Sequence, residues 1–242
     1  MLDSRVAVPP ALAEKQGLLR ALMNVHPGDD LTPEFFALQD AELTLQSERR
    51  GKVEISRIPP SPLSPFLRLW KGDMTRLATD GIVNAANAAL LGCFQPLYNC
   101  VDNIIHSRPG SQLRVECRQL MRAQGHEEPV GCAKITRAYN LPAKWVLHTV
   151  GPMVDRGAPT PAQCRQLASC YTSCLELARE YGLRSLAFCC ISTGVFHFPQ
   201  ALAAKIAVAT VRDFLEHDPF ATVIFDVFTD TDEMLYRRLL GY

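Results

Sequence analysis

Short β-rich runs alternate with longer helical patterns after residue 65, and this alternation constrains the fold more than any other feature of the chain. The β-rich runs are FLRLW (66–70), GIVNAAN (81–87), AKITRAY (133–139), KWVLHTV (144–150), SLAFCCIS (185–192) and TVIFDVF (222–228). Helical patterns cover residues 111–124, 162–181, 200–216 and 231–240. Such alternation predicts an α/β protein whose sheet lies between layers of helices.

The pattern over residues 162–181 is the clearest of these helices. Its apolar residues recur at a spacing of three or four, which places them on one face. They are Leu167, Cys170, Tyr171, Cys174, Leu175 and Ala178. Gly182 follows where such a helix would end, because glycine readily adopts the left-handed dihedral angles that terminate helices.

Residues 1–65 differ in texture, and we predict an N-terminal helical extension with a proline-rich linker. LLRALMNV (18–25) has apolar residues at helical spacing, while Thr32 and Pro33 suit the N-cap and first position of a second helix. The segment IPPSPLSP (58–65) has four prolines in eight residues, which excludes a helix interior. We therefore expect a boundary there, with the main domain over residues 66–242.

Composition limits the classes of function. Lys and Arg number 25 and so do Asp and Glu, which gives zero net charge and argues against a nucleic-acid partner held by bulk charge. We find no secretory signal and no apolar run as long as the roughly 18 residues of a membrane span. The nine cysteines, an odd number, favour reduced thiols in a cytoplasmic protein. With no coiled-coil pattern in the chain, we expect a monomer.

Polar residues follow two of the predicted strands. Asp73 comes directly after the first strand of the main domain, where open α/β sheets bind ligands, so its carboxylate can accept a hydrogen bond from an adenine amino group. Taken alone, it is better suited to a turn or a helix N-cap. Asn84 and Asn87 flank two alanines at the end of GIV. Their amides can bind ribose hydroxyls, or they can serve a turn.

The segment Ser192-Thr193-Gly194-Val195-Phe196 lies between the most apolar predicted strand and a helix that starts near Pro199. A strand, a loop with glycine and a helix N-terminus together form an anion-binding geometry, because backbone N–H groups converge and the helix dipole favours negative charge. A diphosphate is the natural ligand. Phe196 can stack on a sugar or pack in the core.

Cys93 and Cys100 are the candidate metal ligands of the chain. They lie seven positions apart in a loop that contains glycine and proline, and zinc binds thiolates. The spacing is not that of a common zinc motif, and free cysteines often serve as small buried hydrophobic residues. Asp102, shortly after, can act as a base, and His106 fits a helical face.

In this order, GDMT, NAAN, ITRAYNLPAKWVLHTVGP and CCISTGVF resemble the macrodomain family over about residues 66–242. The segment GCFQPLYNCVDNIIHSRPGSQLRVEC is similar to the loop of the zinc-dependent branch, the protein-ADP-ribose hydrolases. The N-terminal extension also resembles that of this branch. The resemblance implies a three-layer αβα fold with a mixed, mostly parallel sheet.

The resemblance also implies roles for individual residues. Asp73 and Met74 would contact adenine, Asn84 and Asn87 would lie beside the distal ribose, and the loop from Ser192 to Phe196 would hold the diphosphate. Cys93 and Cys100 would be two of three zinc ligands, with zinc beside the distal ribose. Asp102 and Asn103 would lie close to it.

The chain departs from the branch at one ligand position. The branch has the pattern Cys-x4-His-x-Cys, and its histidine falls on Tyr98 here. A neutral phenol is a poor zinc ligand, since its pKa is ordinarily near 10. Zinc can still bind with His197, His106 or water as the third ligand; zinc binding can be lost while ADP-ribose binding remains; or Tyr98 can be a damaging change.

We therefore expect a hydrolase that removes mono-ADP-ribose from proteins with the help of zinc, using Asn87, Asp102 and Asn103. By resemblance, a lipoyl-carrier protein is a possible substrate. The alternatives are an ADP-ribose reader without turnover, a hydrolase of another ADP-ribose derivative, and a scaffold without a ligand.

Overall fold

The computed structural model describes residues 7–155 and 157–242. The helices in this part of the chain are α1 (Leu12–Val25), α2 (Pro33–Arg50), α3 (Val101–Ile105), α4 (Ser111–Gln124), α5 (Pro161–Glu180), α6 (Gln200–His217) and α7 (Asp230–Leu240). The strands are β1 (Val53–Glu54), β2 (Pro60–Ser61), β3 (Ser64–Lys71), β4 (Leu77–Ala78), β5 (Gly81–Ala86), β6 (Ala133–Arg137), β7 (Trp145–Val150), β8 (Ser185–Phe188) and β9 (Thr222–Val227).

The main sheet has seven strands in the order β2-β3-β9-β8-β5-β7-β6. Strands β3, β9, β8, β5 and β7 are parallel to their neighbours in this series, and β2 and β6 are antiparallel at the two edges. Helices cover both faces, so the predicted three-layer αβα fold with a mixed, mostly parallel sheet is confirmed. The parallel strands all end at the same edge of the sheet, and ligands bind at that edge in open α/β folds.

The central strands are apolar throughout because helices cover them on both sides. All four residues of β8 are buried, and so are the last five of β9. Burial of each large apolar side chain contributes roughly 1.5–3 kcal/mol. The predicted apolar face of α5 is confirmed residue by residue, and the ring centroid of its Tyr171 lies 4.9 Å from that of Phe188 on β8.

Local signals set the ends of several helices. The Thr32 hydroxyl accepts a hydrogen bond from the Phe35 N–H at the start of α2, with Pro33 in the first turn as predicted. Thr160 and Gln163 form a capping box at the start of α5. Gly182, at φ +68°, follows the end of that helix. Caps of this kind typically contribute about 0.5–2 kcal/mol each.

The N-terminal helices precede the sheet, as expected, and a buried arginine attaches α1 to α4 and to the segment after β5. Arg114 on α4 donates hydrogen bonds to the carbonyls of Met23, Asn24 and His26 at 2.6, 3.2 and 2.7 Å. These carbonyls lie at the C-terminal end of α1, where no further turn of helix can satisfy them. The same guanidinium also donates to the Leu91 carbonyl at 2.8 Å. One side chain thus joins α1, α4 and the segment after β5.

The proline-rich linker contributes an edge strand to the main sheet. β2 lies within it and pairs with β3, and β1 pairs in parallel with β4 to form a separate two-stranded sheet. The division into an extension over residues 1–65 and a main domain over 66–242 stays a proposal. Across the described ranges, we find no helix with the length and apolar character needed to cross a membrane.

Candidate functional site

A cavity of about 840 Å³ lies at the carboxyl edge of the parallel strands. Residues that follow β3, β5, β7 and β8 line it, together with the last part of β9, so strands distant in sequence meet there. Most of the predicted site residues line this one cavity. They are Asp73, Met74, Asn87, Cys93, Cys100, Asp102, Ser192, Thr193, Gly194, Val195 and Phe196.

Asp73 lines the cavity and takes the N-cap role considered for it. Its Oδ1 accepts hydrogen bonds from the Thr75 N–H at 3.0 Å and the Thr75 hydroxyl at 2.5 Å, so it is the N-cap of a short 3-10 helix. Met74 beside it contributes a buried apolar surface. This part of the cavity therefore offers a hydrogen-bond acceptor next to an apolar wall.

Asp226, on β9, is a cavity residue that the sequence analysis missed. It is buried, and within the described residues its Oδ1 has no hydrogen-bond partner. Burial raises the pKa of this carboxyl well above its usual range, and the charge of Asp73 adds to the effect. The signal in the sequence was a single Asp inside an otherwise apolar strand. A buried acid in that position is costly without a partner, which makes it a functional candidate.

The loop from Ser192 to Phe196 is tightly folded between β8 and α6. Ser192 has φ +66° and His197 has φ +54°, conformations that non-glycine residues seldom adopt. The Thr193 hydroxyl donates to the Cys190 carbonyl at 3.0 Å, and the His197 N–H donates to the Gly194 carbonyl at 3.0 Å. Such strain is characteristic of sites that bind ligands.

The same loop presents free donors to the cavity. Within residues 7–155 and 157–242, no intramolecular acceptor is found for the backbone N–H groups of Gly194, Val195 and Phe196. All three residues line the cavity, as does Gln200 in the first turn of α6. Free N–H groups in a loop that leads into a helix suit an anionic ligand, so this loop is the candidate diphosphate site.

Gly151, after β7, allows this loop to approach the sheet. A Cβ atom on Gly151 would lie 2.0 Å from Ser192 Oγ and 2.8 Å from the Ile191 side chain. No side chain fits there, because the neighbouring Ser192 is held by the loop and is itself buried. Glycine at position 151 is therefore a requirement of the loop geometry.

Asp102, on α3, lines the cavity and is held from behind. Its Oδ1 accepts a 2.8 Å hydrogen bond from Nδ2 of Asn84, and His106 Nε2 lies 3.5 Å from the same oxygen. Burial raises the pKa of Asp102 to about 6, while the Asn84 hydrogen bond and the Arg114 charge oppose that rise. The carboxyl is thus ionised at neutral pH but is a stronger base than an exposed aspartate.

Asn84 does not line the cavity. Its side chain is fully buried, and Nδ2 also lies 3.2 Å from Nδ1 of His148, whose Nε2 is 2.9 Å from the Thr136 hydroxyl. Burial lowers the pKa of His148 to about 3, so its ring is neutral. Ala85 and Ala86, the last two residues of the same strand, line the cavity instead. Asn84 supports Asp102 rather than contacting the cavity directly.

Asn87 and Asn103 both fix the cysteine loop, defined here as residues 92–100. Asn87 Nδ2 donates to the Gly92 carbonyl at 2.9 Å. Asn103 Nδ2 donates to Cys93 Sγ at 3.4 Å, and the Asn103 N–H donates to Cys100 Sγ at 3.4 Å. Asn103 is buried and does not line the cavity, so it organises both thiols from behind.

The two thiols do not complete the zinc site that the resemblance implies. Tyr98 lines the same cavity, but its phenol is a poor ligand. Burial, with Cys93 and Asp102 nearby, raises the pKa of Cys100 to about 11, so its free thiol is protonated at neutral pH and a zinc ion would have to displace that proton. His197 is exposed and does not line the cavity.

His106 belongs to a different group, which is a possible metal-binding cluster. It lies with Cys117 and His148, with ligand atoms within 4.8 Å of one another and all three side chains buried. In the part of the chain that the structure describes, this is the sole trio of His, Cys, Asp or Glu residues gathered so closely. Cys93 and Cys100 are not in it, and burial lowers the pKa of His106 well below its usual range.

The fold and the cavity define a ligand-binding α/β protein, and comparison with known proteins gives its family. The Macro domain family model matches residues 83–207, which is just over half of the chain. A Protein-ADP-ribose hydrolase of Treponema medium is 47% identical over 239 residues, covering 98% of this chain and 91% of the relative. The chain belongs to the macrodomain family.

Further similarities agree with this assignment. A Protein-ADP-ribose hydrolase of Staphylococcus aureus (strain MSSA476) is 45% identical over 96% of this chain and 87% of its own length. A solved Trypanosoma brucei macrodomain in complex with ADP-ribose is 31% identical, with a TM-score of 0.70, over 92% of this chain and 95% of that chain. The Oceanobacillus iheyensis macrodomain with ADP is 37% identical, with a TM-score of 0.66, over 73% and 90% respectively.

Proposed function

We propose that this macrodomain binds ADP-ribose in the cavity and removes mono-ADP-ribose from modified proteins. The observation that carries the proposal is the position of Asp102, a buried carboxyl with a pKa of about 6 that lines the cavity beside the cysteine loop. Relatives that cover nearly the whole chain are named protein-ADP-ribose hydrolases, which supports the same reaction class. A reader module needs no such base.

Binding in the proposed orientation uses both ends of the cavity. Asp73 accepts a hydrogen bond from the adenine amino group, and Met74 packs against the ring. The free N–H groups of the loop from Ser192 to Phe196 donate to the diphosphate, each contributing about 1.5–3 kcal/mol as a hydrogen bond to a charged group. Asn87 orients the distal ribose towards Asp102. These remote contacts hold the reacting end in place for the chemistry.

In the proposed reaction, water adds to the anomeric carbon of the distal ribose, and the bond from that carbon to the protein side chain breaks. The ionised Asp102 carboxylate accepts a proton from the attacking water and returns it to the departing oxygen or nitrogen. A base whose pKa lies just below the working pH is suited to both transfers, which typically contribute about 10²–10⁴-fold in rate. Asn103 acts indirectly, through its hydrogen bonds to the cysteine loop.

The residues at the expected zinc site give little support for a role of zinc in the reaction. Cys93 and Cys100 offer two thiols, and the third position is Tyr98, so we assign no step to a metal. Zinc content measured on protein purified without chelator, together with turnover before and after chelation, tests whether the pair binds the ion. Turnover that disappears with the chelator and returns with zinc alone would require a metal step.

The protein substrate meets the mouth of the cavity. Tyr98, Val195 and Phe228 line this mouth and are 38, 51 and 71% exposed, so they offer apolar surface to a modified protein. A lipoyl-carrier protein is the substrate implied by resemblance and the first to test. We further propose that the protein acts as a monomer. We also propose that it acts in the cytoplasm, since all nine cysteines are free thiols, as expected in a reducing compartment.

The decisive experiment is a single assay on the full chain. Mono-ADP-ribosylated protein is incubated with wild-type enzyme and with the Asp102→Asn variant, and released ADP-ribose is measured. Release by the wild type alone supports the hydrolase. Tight ADP-ribose binding by calorimetry, with no release at any zinc concentration, would replace it with the second candidate, a reader module. The observation that favours the reader is Tyr98 at the third ligand position.

A further inference from the structure

We propose that Asn24, at the end of α1, is a positioning residue for the cysteine loop, and that the N-terminal extension is thereby a working part of the site. The side chain is 1% exposed and contacts two segments at once. Its Oδ1 accepts a 3.0 Å hydrogen bond from the Leu97 N–H, and its Nδ2 donates to the Asn103 carbonyl at 3.2 Å. The catalytic consequence rests on the proposed hydrolase function.

Asn103 transmits this contact to both thiols. Its Nδ2 donates to Cys93 Sγ at 3.4 Å and to the Gln95 carbonyl at 2.7 Å, while its backbone N–H donates to Cys100 Sγ. Arg20, also on α1, donates from Nη2 to Asn103 Oδ1 at 3.3 Å. Two side chains of α1 therefore hold Asn103, which hydrogen-bonds to both cysteines.

The cysteine loop needs support from outside because it has little of its own. It contains no helix or strand, and Phe94 and Leu97 have φ +51° and +56°, conformations that cost energy for residues with a Cβ atom. Phe94, Leu97 and Tyr98 are all exposed, so burial of apolar surface does not fix the loop. Asn87 and Asn103 hold the first part of the loop, and the hydrogen bond that the Leu97 N–H donates to Asn24 Oδ1 holds its middle.

The chemistry at position 24 requires an amide. The site needs one acceptor for the Leu97 N–H and one donor for the Asn103 carbonyl on the same short side chain. Asparagine provides both, aspartate provides only acceptors when ionised, and leucine provides neither. Leucine would leave the Leu97 N–H without this acceptor and would remove one of two donors to the Asn103 carbonyl, which keeps the Ser107 hydroxyl at 3.0 Å.

The test compares Asn24→Leu with a matched control, Gln39→Leu. Gln39 on α2 is also a buried amide that bridges the extension to the main domain, accepting from the Ser111 N–H at 2.9 Å and donating to Gln112 Oε1 at 2.6 Å. It has no hydrogen bond to the cysteine loop among the described contacts. Both variants are measured by thiol labelling of Cys93 and Cys100, by ADP affinity and by turnover.

Two readouts separate positioning from general destabilisation. In Asn24→Leu we expect Cys93 and Cys100 to react with the labelling reagent about fivefold faster, since the loop opens more often. The exposed Cys132 should react at an unchanged rate. We expect kcat to fall by about tenfold, equal to about 1.4 kcal/mol of barrier. Affinity for ADP, which lacks the distal ribose, stays within about twofold. Gln39→Leu should change none of these.

The proposal is overturned if the thiol-labelling rates and kcat of Asn24→Leu match those of Gln39→Leu. If wild-type protein releases no ADP-ribose, the hydrolase function fails on its own, and the labelling rates still decide the positioning role. Asn24→Asp keeps an acceptor for Leu97 and loses the donor, so an intermediate labelling rate is expected. That variant also provides the test should Asn24→Leu fail to fold.

Discussion

The amide of Asn84 holds the carboxyl of Asp102 from behind, with 2.8 Å between Nδ2 and Oδ1. Asn84 lies on β5 and Asp102 on α3, so the contact fixes the candidate base to the centre of the sheet. Neutral His148 accepts from the same amide nitrogen, and Thr136 lies behind it. The base is therefore the outermost member of a buried hydrogen-bonded chain, a rigid arrangement that keeps it aimed at the cavity.

Asp102→Asn is expected to abolish most turnover and to leave ligand binding in place. Asparagine preserves the shape of the side chain but cannot accept a proton from water, so kcat should fall by about 10²–10⁴-fold. Release of ADP-ribose from a modified protein measures kcat, and calorimetry measures ADP-ribose affinity, which should stay within a few-fold. A variant as active as the wild type would place the base elsewhere.

Asn84→Leu is expected to destabilise the protein through the same chain. The substitution removes the donor to Asp102 and leaves His148 Nδ1 unpaired in the core, which costs about 1–3 kcal/mol per unsatisfied group. In a protein of this size, each kcal/mol corresponds to about 2–4 °C in Tm. Thermal unfolding measures the shift. An unchanged Tm would mean that water replaces the amide.

Gly151→Ala is expected to weaken the binding of ADP and ADP-ribose alike. The added Cβ would lie 2.0 Å from Ser192 Oγ, so the diphosphate loop must move and its N–H groups lose their alignment. A loss of about tenfold, or 1.4 kcal/mol, is expected in calorimetry.

Gly17→Ala is the matched control for that substitution. Gly17 lies in α1 with nothing within 4 Å of the new Cβ, so this alanine should leave both affinities unchanged. It should raise the free energy of unfolding slightly, because alanine favours helix. Equal affinities for the two alanine variants and the wild type would contradict the role of the loop.

Asp226→Asn is expected to stabilise the protein at neutral pH and to have no effect in acid. The raised pKa of Asp226 in the folded state means that the wild type is most stable below the ordinary pKa of an aspartate and loses stability as the pH rises through the folded value. Asparagine never ionises and escapes this loss. Other titratable groups lie near Asp226. Asp73 and Asp232 line the same cavity, and the Asp226 charge contributes to raising the pKa of the Cys189 and Cys190 thiols.

Tm measured from pH 4 to pH 8 tests this expectation. The curves for the variant and the wild type should coincide near pH 4 and separate as the pH rises, with the variant higher. A separation that grows towards acid would reverse the sign and show that Asp226 is stabilised as an anion.

Tyr98→His is expected to create tight zinc binding. A histidine supplies a neutral nitrogen as the third ligand beside the sulfurs of Cys93 and Cys100, and zinc binding then releases the thiol protons. The zinc content measured by elemental analysis should rise towards one zinc per chain. The affinity for zinc should be at least about tenfold above that of the wild type. Wild-type protein that already binds one zinc per chain would show that the phenol or water completes the site.

The sequence alone determined the class of fold and the order of its elements. Alternation of β-rich and helical patterns predicted the six main strands, and the apolar face of α5 was predicted residue by residue. Periodicity, caps and glycine stops are local signals, so they can be detected without knowing what packs against what. The motifs after the strands also predicted most of the cavity wall, because parallel strands end at one edge.

The tertiary structure decided which of those residues contact the cavity and which support it. Asn84 and Asn103 lie behind the wall, while Asp226 lies in it, because the direction of a side chain depends on how its strand or helix is packed. The role of Asn24 depends on contacts 73 and 79 residues away in sequence. No local pattern encodes such contacts. They form only when α1, the cysteine loop and α3 are brought together by the buried Arg114 and the sheet beneath them.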